Sequence, residues 1–359
     1  MQIHQVDIHR VRNLSNVSLQ PAAGLNLIYG SNASGKTSIL EAIYLLSHGR
    51  SFRTANIRSV IQHQTESLQV FGKIKQNQSK TFIQLGLERG PVRTNIRINQ
   101  NTVTTTSQLA AYLPVQIINP EAHRLLEHGP SQRRKFLDWG LFHVEPRFHP
   151  TWQNYNRLLK QRNAALRQKI DKKNITAWDP QLLETADTLT LLRRQYVADL
   201  LPYIQNYTNR LLDIALDIQY RPGWNQEQDF KTALDEDFEQ DRMQGHTRKG
   251  PHRADLRLTE HGITVQDKFS RGQQKLLVCA LRLAQIKHLK DQLEQSSVVL
   301  VDDLAAELDT YHRAQLLTLL AESGAQLFIT ATEMNLITTG GWSSQKVFHV
   351  EHGQIVEVV

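Results

Sequence analysis

A glycine-rich loop near the N-terminus is the feature that most narrows what this chain can fold into. Residues 30–37 read Gly-Ser-Asn-Ala-Ser-Gly-Lys-Thr, which is the G-x-x-x-x-G-K-T spacing of a phosphate-binding loop. The apolar run 25–29 before the loop predicts a strand, and the amphipathic run 38–46 after it predicts a helix. This strand–loop–helix order is the context that the motif requires, so it indicates an α/β nucleotide-binding fold. A glycine- and serine-rich turn that matches by chance is the weaker alternative.

The loop residues suit a nucleoside triphosphate. The glycines let the backbone curl so that N–H groups face a polyphosphate, and the helix N-terminus adds partial positive charge. We expect Lys36 to reach the β- and γ-phosphates as a catalytic cation and the Thr37 hydroxyl to hold Mg²⁺. The predicted nucleotide-binding residues of this loop are Gly30, Ser31, Asn32, Ala33, Ser34, Gly35, Lys36 and Thr37.

Two carboxylates follow a continuous apolar run late in the chain. Residues 297–301 predict a buried strand, and Asp302 and Asp303 come directly after it. In phosphate-loop folds we expect this strand to lie beside the strand that feeds the loop, so that a carboxylate at its tip meets the metal. Asp302 is therefore the predicted second Mg²⁺ ligand, and Asp303 is predicted to polarise the attacking water. A solvated aspartate pair that only closes a strand is the alternative.

A serine- and glycine-containing segment opens a long helical pattern at residue 270. A hydroxyl group and free backbone N–H groups at a helix N-terminus suit a γ-phosphate. Ser270, Gly272 and Gln273 are therefore further predicted nucleotide-binding residues. A helix that is capped by serine and binds no ligand is the alternative.

The charge balance favours a polyanionic partner. Lys and Arg total 42 against 35 Asp and Glu, a formal net charge of +7. A mildly basic, solvated surface is the alternative. The cations predicted to meet such a partner are Arg50, Arg53, Arg133, Arg134 and Lys135, with Arg58, Lys160, Arg162, Arg167, Lys172 and Lys173 as further candidates.

Three features that the sequence lacks indicate the cellular compartment of the protein. Cys279 is the only cysteine, so no internal disulfide can form, which fits a reducing cytoplasm. No apolar run is long enough to span a bilayer, and the first residues do not have the profile of a signal peptide. We therefore expect a cytoplasmic location and no membrane partner.

The remaining periodicities predict the domain organisation. Alternating runs between residues 67 and 98 predict an antiparallel β-meander. Helical patterns at about 150–169 and 180–216 predict an inserted helical arm, which Pro202 should kink or break. Residues 223–244 are polar and acidic, which indicates a mobile segment. We predict a split head, residues 1–145 and 222–359, with residues 146–221 as the arm.

These motifs together resemble the RecF family of bacterial recombination mediators, which are SMC-like ABC ATPases. The resemblance covers nearly the whole chain. Its narrower motifs are Gly49-Arg50-Ser51-Phe52-Arg53, Gly129-Pro130 ahead of Arg133-Arg134, Gly250-Pro251-His252-Arg253-Ala254-Asp255-Leu256, Ser270-Arg271-Gly272-Gln273-Gln274-Lys275 and Val301-Asp302-Asp303-Leu304-Ala305-Ala306-Glu307-Leu308-Asp309.

The resemblance implies an ABC/SMC-type ATPase head with an antiparallel β subdomain and an inserted helical arm. It implies ATP and Mg²⁺ as cofactors, an ATP-dependent homodimer, and weak, DNA-stimulated ATP hydrolysis. In that dimer Ser270 of one subunit completes the site that holds Lys36 of the other, and residues 306–309 contact the partner. The implied partners are single-stranded, gapped and double-stranded DNA, and RecR with RecO and RecA, in replication, recombinational repair and the SOS response.

The chain departs from the wider class at three points. Its acidic strand ends in Asp302-Asp303 instead of Asp-Glu, and the shorter second carboxylate suggests slow hydrolysis. Ala331-Thr332 stands where a switch histidine is usual, and the candidates for the usual glutamine loop are Asn119-Pro120-Glu121 and Gln116. The rival functions are an ABC-type ATPase subunit coupled to another partner, such as a transporter, and a non-hydrolysing ATP-binding DNA scaffold.

Overall fold

The computed structural model describes residues 1–76, 81–303, 308–337 and 341–358. The chain divides into two compact units, Met1–Ala122 with Arg282–Val359, and His123–Leu281. The first unit is assembled from both ends of the sequence, and residues 123–145 and 222–281 group with the second unit. The division into a head and an arm at residues 145 and 222 remains a prediction.

Strand-rich and helix-rich segments follow each other along the chain. The strands are β1 (Gln2–Val11), β2 (Leu14–Leu19), β3 (Leu25–Tyr29), β4 (Leu68–Lys75), β5 (Phe82–Arg89), β6 (Thr94–Ile98), β7 (Asn101–Val103), β8 (Val115–Ile118), β9 (Asp217–Arg221), β10 (Asp255–Glu260), β11 (Ile263–Thr264), β12 (Val298–Val301), β13 (Gln326–Ala331), β14 (Gln345–Glu351) and β15 (Gln354–Glu357). The α-helices are α1 (Lys36–His48), α2 (Thr106–Tyr112), α3 (Arg124–Glu127), α4 (Pro130–Val144), α5 (Phe148–Arg167), α6 (Lys172–Ile175), α7 (Asp179–Leu212), α8 (Phe230–Glu236), α9 (Phe238–Gln244), α10 (Val265–Lys268), α11 (Arg271–Leu293) and α12 (Thr310–Ser323).

The first unit contains two six-stranded sheets. One is antiparallel in the order β2-β1-β4-β5-β6-β7, which confirms the predicted β-meander. The other has the order β15-β14-β3-β13-β12-β8 and is parallel except for β15. Side chains of α1 and of both sheets pack into one hydrophobic core. The strand that leads into the phosphate loop is therefore fixed by burial on both of its faces.

The position of the acidic strand corrects one prediction. The strand β12, which directly precedes Asp302, does not pair with β3; the strand β13 lies between them and pairs with both. Both β12 and β13 are buried along their whole length, and continuous apolar runs of this kind do not specify the order of strands in a sheet. As a result, side chains at the end of β13 lie next to Asp302.

The second unit contains the two long helical patterns and the three-stranded sheet β11-β10-β9. The helix α5 packs against α7. The helix α7 continues through Pro202 without a break, so the prediction of a break is wrong. A proline removes one helical hydrogen bond, but Tyr196, Leu200 and Ile204 are buried around it, and their packing outweighs that loss.

The segment 223–244 is more ordered than its composition indicated. It forms α8 and α9, and the side chains of Phe230 and Phe238 are buried. The Asp229 carboxylate accepts a hydrogen bond from the backbone N–H of Thr232 and so caps α8. The expectation of a mobile segment is therefore replaced by two short helices with buried aromatic anchors.

Candidate nucleotide-binding site

Two glycines of the phosphate loop are required by its backbone. The φ angles of Gly30 and Gly35 are 155° and 122°. A Cβ atom on Gly30 would lie 2.2 Å from the carbonyl oxygen of Val350, and one on Gly35 would lie 3.0 Å from Leu14 Cδ2. A side chain at either position would therefore displace the loop from its neighbours.

The loop is also held from outside by residues that the sequence analysis missed. The Ser34 carbonyl oxygen accepts hydrogen bonds from Asn13 Nδ2 at 3.0 Å and from the backbone N–H of Gly353 at 2.9 Å. Asn13 Oδ1 in turn accepts a hydrogen bond from the Ser38 hydroxyl at 3.0 Å. These contacts join the loop to the β1–β2 turn and to the β14–β15 hairpin, and no local sequence signal announces them.

Lys36 bends back over the loop. Its Nζ donates hydrogen bonds to the carbonyl oxygens of Gly30 at 2.7 Å and Ser31 at 2.8 Å. Burial lowers the pKa of the Lys36 ammonium, while the nearby charges of Asp303 and Asp302 oppose that shift. The ammonium is thus held beside the loop backbone, where a polyphosphate can replace the two carbonyl oxygens as its partner.

The loop and the acidic strand meet directly. The Thr37 hydroxyl donates a hydrogen bond to Asp302 Oδ1 at 2.9 Å, although 265 residues separate the two. The Thr330 hydroxyl, at the end of β13, donates to the same carboxylate oxygen at 2.8 Å. Burial raises the pKa of Asp302, and the two hydroxyl hydrogen bonds partly counter that effect. The two predicted metal ligands therefore lie side by side.

Thr330 also holds the second carboxylate residue. The backbone N–H of Asp303 donates a hydrogen bond to Thr330 Oγ1 at 2.8 Å. Asp303 has a left-handed backbone with φ 53°, a conformation that most residues other than glycine adopt rarely. The hydroxyl of Thr330 thus bridges Asp302 and Asp303, and it fixes the direction in which the chain leaves the sheet. No local sequence signal indicates this role.

We expect Thr330→Val to lower ATP turnover about tenfold while leaving ATP affinity within about twofold, because one hydrogen bond at each aspartate is lost but the phosphate loop is untouched. Thr330→Ser keeps the hydroxyl and should retain most of the turnover. The measurement is phosphate release together with ATP affinity for the three proteins. Turnover by Thr330→Val equal to that of the parent would show that Thr330 has no positioning role.

The residues present fit ATP and Mg²⁺. The Ser34 hydroxyl is buried and has no hydrogen-bond partner among the described residues, which suits a loop built to close on a ligand. The Thr37 hydroxyl and the Asp302 carboxylate are oxygen donors of the kind that Mg²⁺ prefers. Within the described part of the chain, no group of three or more His, Cys, Asp or Glu side chains could hold a metal alone. Mg²⁺ would therefore need phosphate and water oxygens as well.

Ser270 caps the helix α11 in the second unit. Its hydroxyl oxygen accepts a hydrogen bond from the backbone N–H of Gln273 at 3.3 Å, and its own N–H donates to Gln273 Oε1 at 3.0 Å. Residues 270–273 are all exposed. Apart from Ser270 Oγ at 4.0 Å, nothing lies within 4 Å of a Cβ built on Gly272, so packing in this chain does not require that glycine. The turn is an open helix N-terminus, and its role toward a phosphate remains a prediction.

The side chain of Gln116 is buried in the interior of the first unit. It is 2% exposed, donates a hydrogen bond to Gln285 Oε1 at 3.0 Å and accepts one from Arg282 at 2.6 Å. These contacts tie β8 to α11. Within the predicted partner-contacting loop, Asp309 caps α12 through the backbone N–H of His312, and residues 306 and 307 lie outside the described residues.

The predicted cations of the first unit occupy one short segment after α1. Arg50, Arg53 and Arg58 are all exposed. Arg53 lies 3.8 Å from the carboxylate of Glu41, which is buried and also receives two hydrogen bonds from Arg12 at 2.9 Å and one from the Ser51 hydroxyl. The segment is therefore anchored to α1 through a buried carboxylate while its arginines face outward.

The predicted cations of the second unit differ in whether their side chains can bind an outside partner. Arg133 forms a two-pronged ion pair with Asp255, and Arg134 donates to the carbonyl oxygen of Ala254. Arg162 is fully buried against Asp241 and Thr247, so it stabilises the fold and cannot meet an outside partner. Exposed side chains are found at Lys135, Lys160, Arg167, Lys172 and Lys173, of which Lys172 lies over the Phe238 ring.

A family model and individual relatives all match this chain over nearly its whole length. The model of the RecF/RecN/SMC N-terminal domain family matches residues 2–356. The DNA replication and repair protein RecF of Shewanella woodyi is 42% identical over 363 residues, covering 100% of this chain and 98% of the relative. The corresponding protein of Shewanella amazonensis is 43% identical over 359 residues, covering 99% of each chain.

Solved structures give the same result for the fold. The structure of the recombination mediator protein RecF-ATP in the RecFOR pathway has a TM-score of 0.88 at 25% identity, covering 100% of this chain and 98% of that one. An Smc head bound to the C-winged helix domain of ScpA has a TM-score of 0.62 at 13% identity, covering 100% and 98%. The predicted ABC/SMC-type head is confirmed. No helix among the described residues has the length and hydropathy needed to cross a membrane.

Proposed function

Because the chain belongs to the RecF family of DNA replication and repair proteins, we propose that it is an ATPase that dimerises on ATP and binds DNA in recombinational repair. The observation that supports this most is the hydrogen bond between Thr37 and Asp302. It brings the phosphate loop and the acidic strand together, and an ATPase needs both at one place.

Each part of the site has a distinct task in this proposal. The loop N–H groups and Lys36 bind the phosphates of ATP, while Thr37 and Asp302 hold Mg²⁺. When bound, Mg²⁺ neutralises charge on the phosphate oxygens. Asp303 orients and polarises the attacking water, with its backbone fixed by Thr330. An aspartate side chain is shorter than that of a glutamate, so we propose that ATP hydrolysis is slow. We also propose that DNA stimulates this hydrolysis.

The proposed assembly is a two-fold homodimer. The Ser270 hydroxyl and the exposed N–H groups of the α11 N-terminus would close on the γ-phosphate of ATP held by the partner subunit. The open space around Gly272 supports this, because a close approach of another molecule needs a residue without a side chain. ATP then bridges the subunits, and hydrolysis releases them.

DNA and repair proteins are the proposed partners. The net charge of +7 and the exposed arginines after α1 support single-stranded, gapped and double-stranded DNA. A similar solved structure is described as a recombination mediator in the RecFOR pathway, which supports RecR and RecO as partners. RecA is proposed as the protein that is loaded, as the family resemblance implies. We propose that the chain acts in the cytoplasm. Hydrolysis that depends on Asp303 would separate this function from that of a non-hydrolysing scaffold.

We expect DNA affinity to fall steeply with salt and to vary little with sequence, because backbone phosphates carry no sequence information. For about four phosphate contacts, raising salt from about 50 to about 200 mM should weaken binding about 10²-fold. Fluorescence anisotropy with labelled single-stranded, gapped and double-stranded oligonucleotides of two unrelated sequences measures this. A flat salt response on all three DNA forms would contradict DNA as the partner.

A further inference from the structure

The second unit contains a cavity of about 340 Å³ beside the β11-β10-β9 sheet, lined also by residues of α3, α4 and α10. Three arginines, Arg133, Arg221 and Arg257, are among its walls. The remaining lining residues are Leu126, Asp255, Leu256, Leu258, Thr264, Val265 and Gln266. Neither Arg221 nor Arg257 belongs to a motif, and neither was among the cations that the sequence singled out.

Strand register explains why these side chains converge. Arg221 of β9 lies directly opposite Asp255 of β10. Arg257 follows Asp255 by two residues, so both side chains leave the same face of the sheet. Arg133 reaches that face from α4 through its ion pair with Asp255, whose two bonds measure 2.7 and 3.0 Å.

The charges around the cavity do not balance. Both oxygens of Asp255 are occupied by Arg133, and one also accepts the backbone N–H of Leu256 at 2.8 Å. The guanidinium groups of Arg221 and Arg257 form no ion pair or hydrogen bond with any described residue, although the backbones of both residues belong to the β9–β10 ladder. The nearby carboxylates have other partners: Asp267 accepts from the Thr264 hydroxyl at 2.6 Å, and Glu260 pairs with Lys268 at 3.0 Å. Two uncompensated guanidinium groups therefore face one cavity.

The chemistry of the walls indicates the ligand. Guanidinium groups match phosphate oxygens with paired N–H donors, and Arg221 and Arg257 can supply them, whereas Arg133 already donates to Asp255 and to the Leu126 carbonyl oxygen. The cavity is larger than a phosphate ion, so it has room for the sugar that is attached to it. We propose that this cavity binds a sugar–phosphate unit of the DNA backbone, an inference that rests on the proposed DNA binding.

The test compares two double variants with the same loss of charge. Arg221→Gln/Arg257→Gln removes the cavity cations, and Arg194→Gln/Arg242→Gln removes two cations of the same unit that do not line the cavity. With a labelled single-stranded oligonucleotide, the cavity variant should bind about tenfold more weakly, and its salt slope should fall by about 1. The control variant should stay within about twofold of the parent, and thermal melting shows whether both variants fold.

The outcomes separate this inference from the function on which it rests. If the parent binds DNA with a steep salt dependence and the cavity variant matches the control, the cavity assignment is overturned and DNA binding stands. A parent without salt-dependent DNA binding overturns both.

Two further ligands distinguish the source of the anion. Inorganic phosphate is added at constant ionic strength to Lys36→Ala protein, whose phosphate loop is disabled, and polyglutamate is added to the parent. If the cavity substitutions remove stabilisation by phosphate, or binding of polyglutamate, while DNA affinity is unchanged, the site takes a free anion or an acidic peptide instead.

Discussion

Lys36→Ala is expected to weaken ATP binding at least about 10²-fold. Lys36 supplies the only side-chain cation within residues 30–37, and it can form charge-assisted hydrogen bonds to two phosphates. Each such bond contributes about 1.5–3 kcal/mol, and each 1.4 kcal/mol is about tenfold in affinity. Isothermal titration calorimetry with ATP and Mg²⁺ measures the loss.

The same substitution should leave the fold intact. The ammonium donates to two loop carbonyl oxygens, and the burial that lowers its pKa opposes what those bonds contribute, so the variant should still unfold in one cooperative transition. Lys287→Ala is the matched control, since Lys287 lies on the surface of α11 and pairs with Asp291 at 2.6 Å. Unchanged ATP affinity in Lys36→Ala would show that the loop is not the nucleotide site.

Asp303→Asn should lower ATP turnover about 10²- to 10⁴-fold, the range expected when a general base is removed. Asparagine has nearly the same shape and tolerates the left-handed backbone that Asp303 adopts at φ 53°. The backbone N–H that bonds Thr330 is unaffected by the change. ATP affinity and thermal stability should therefore stay close to those of the parent.

Single-turnover phosphate release measures this effect without interference from product release. Asp199→Asn is the matched control, because Asp199 is an exposed residue of α7 whose carboxylate accepts a hydrogen bond from Gln195 one helical turn earlier. Equal turnover by Asp303→Asn and the parent would favour a different catalytic residue. No measurable turnover by the parent, with or without DNA, would favour the non-hydrolysing scaffold.

Those parts of the site that depend on a contiguous stretch of sequence could be predicted. Each of three parts carries a local signal: the phosphate loop, the apolar strand before Asp302 and the Ser270 turn. Their residue spacing and the periodicity of their flanking segments can be recognised within about ten residues. The antiparallel meander and the long helices followed from periodicity in the same way. These local patterns and their order predicted the α/β class, and the family resemblance implied the ABC/SMC-type head.

The contacts that complete the site could not be predicted, because they join residues distant in sequence. Thr330 lies next to Asp302 only because β13 lies between β3 and β12, and strand order is not encoded in an apolar run. Asn13 and Gly353, which both bond the Ser34 carbonyl oxygen, come from opposite ends of the sequence.

The sequence also could not predict which cations are available to bind a ligand. Arg133 and Arg162 look like their neighbours in the sequence, yet each meets a carboxylate more than 70 residues away. Arg221 and Arg257 belong to no motif, although their guanidinium groups have no ion-pair or hydrogen-bond partner among the described residues. Tertiary pairing, which composition cannot reveal, decides which cations remain available to a ligand.

The most direct test of the composite-site mechanism is the mass of the protein in solution with and without ATP and Mg²⁺, measured by sedimentation velocity. The parent and Asp303→Asn should be monomeric without ATP. With ATP, Asp303→Asn should accumulate as a stable dimer because bound ATP is not consumed. Ser270→Arg should bind ATP but remain monomeric, because the arginine blocks the place where the partner's γ-phosphate must dock. A Ser270→Arg protein that dimerises with ATP as the parent does would contradict the mechanism.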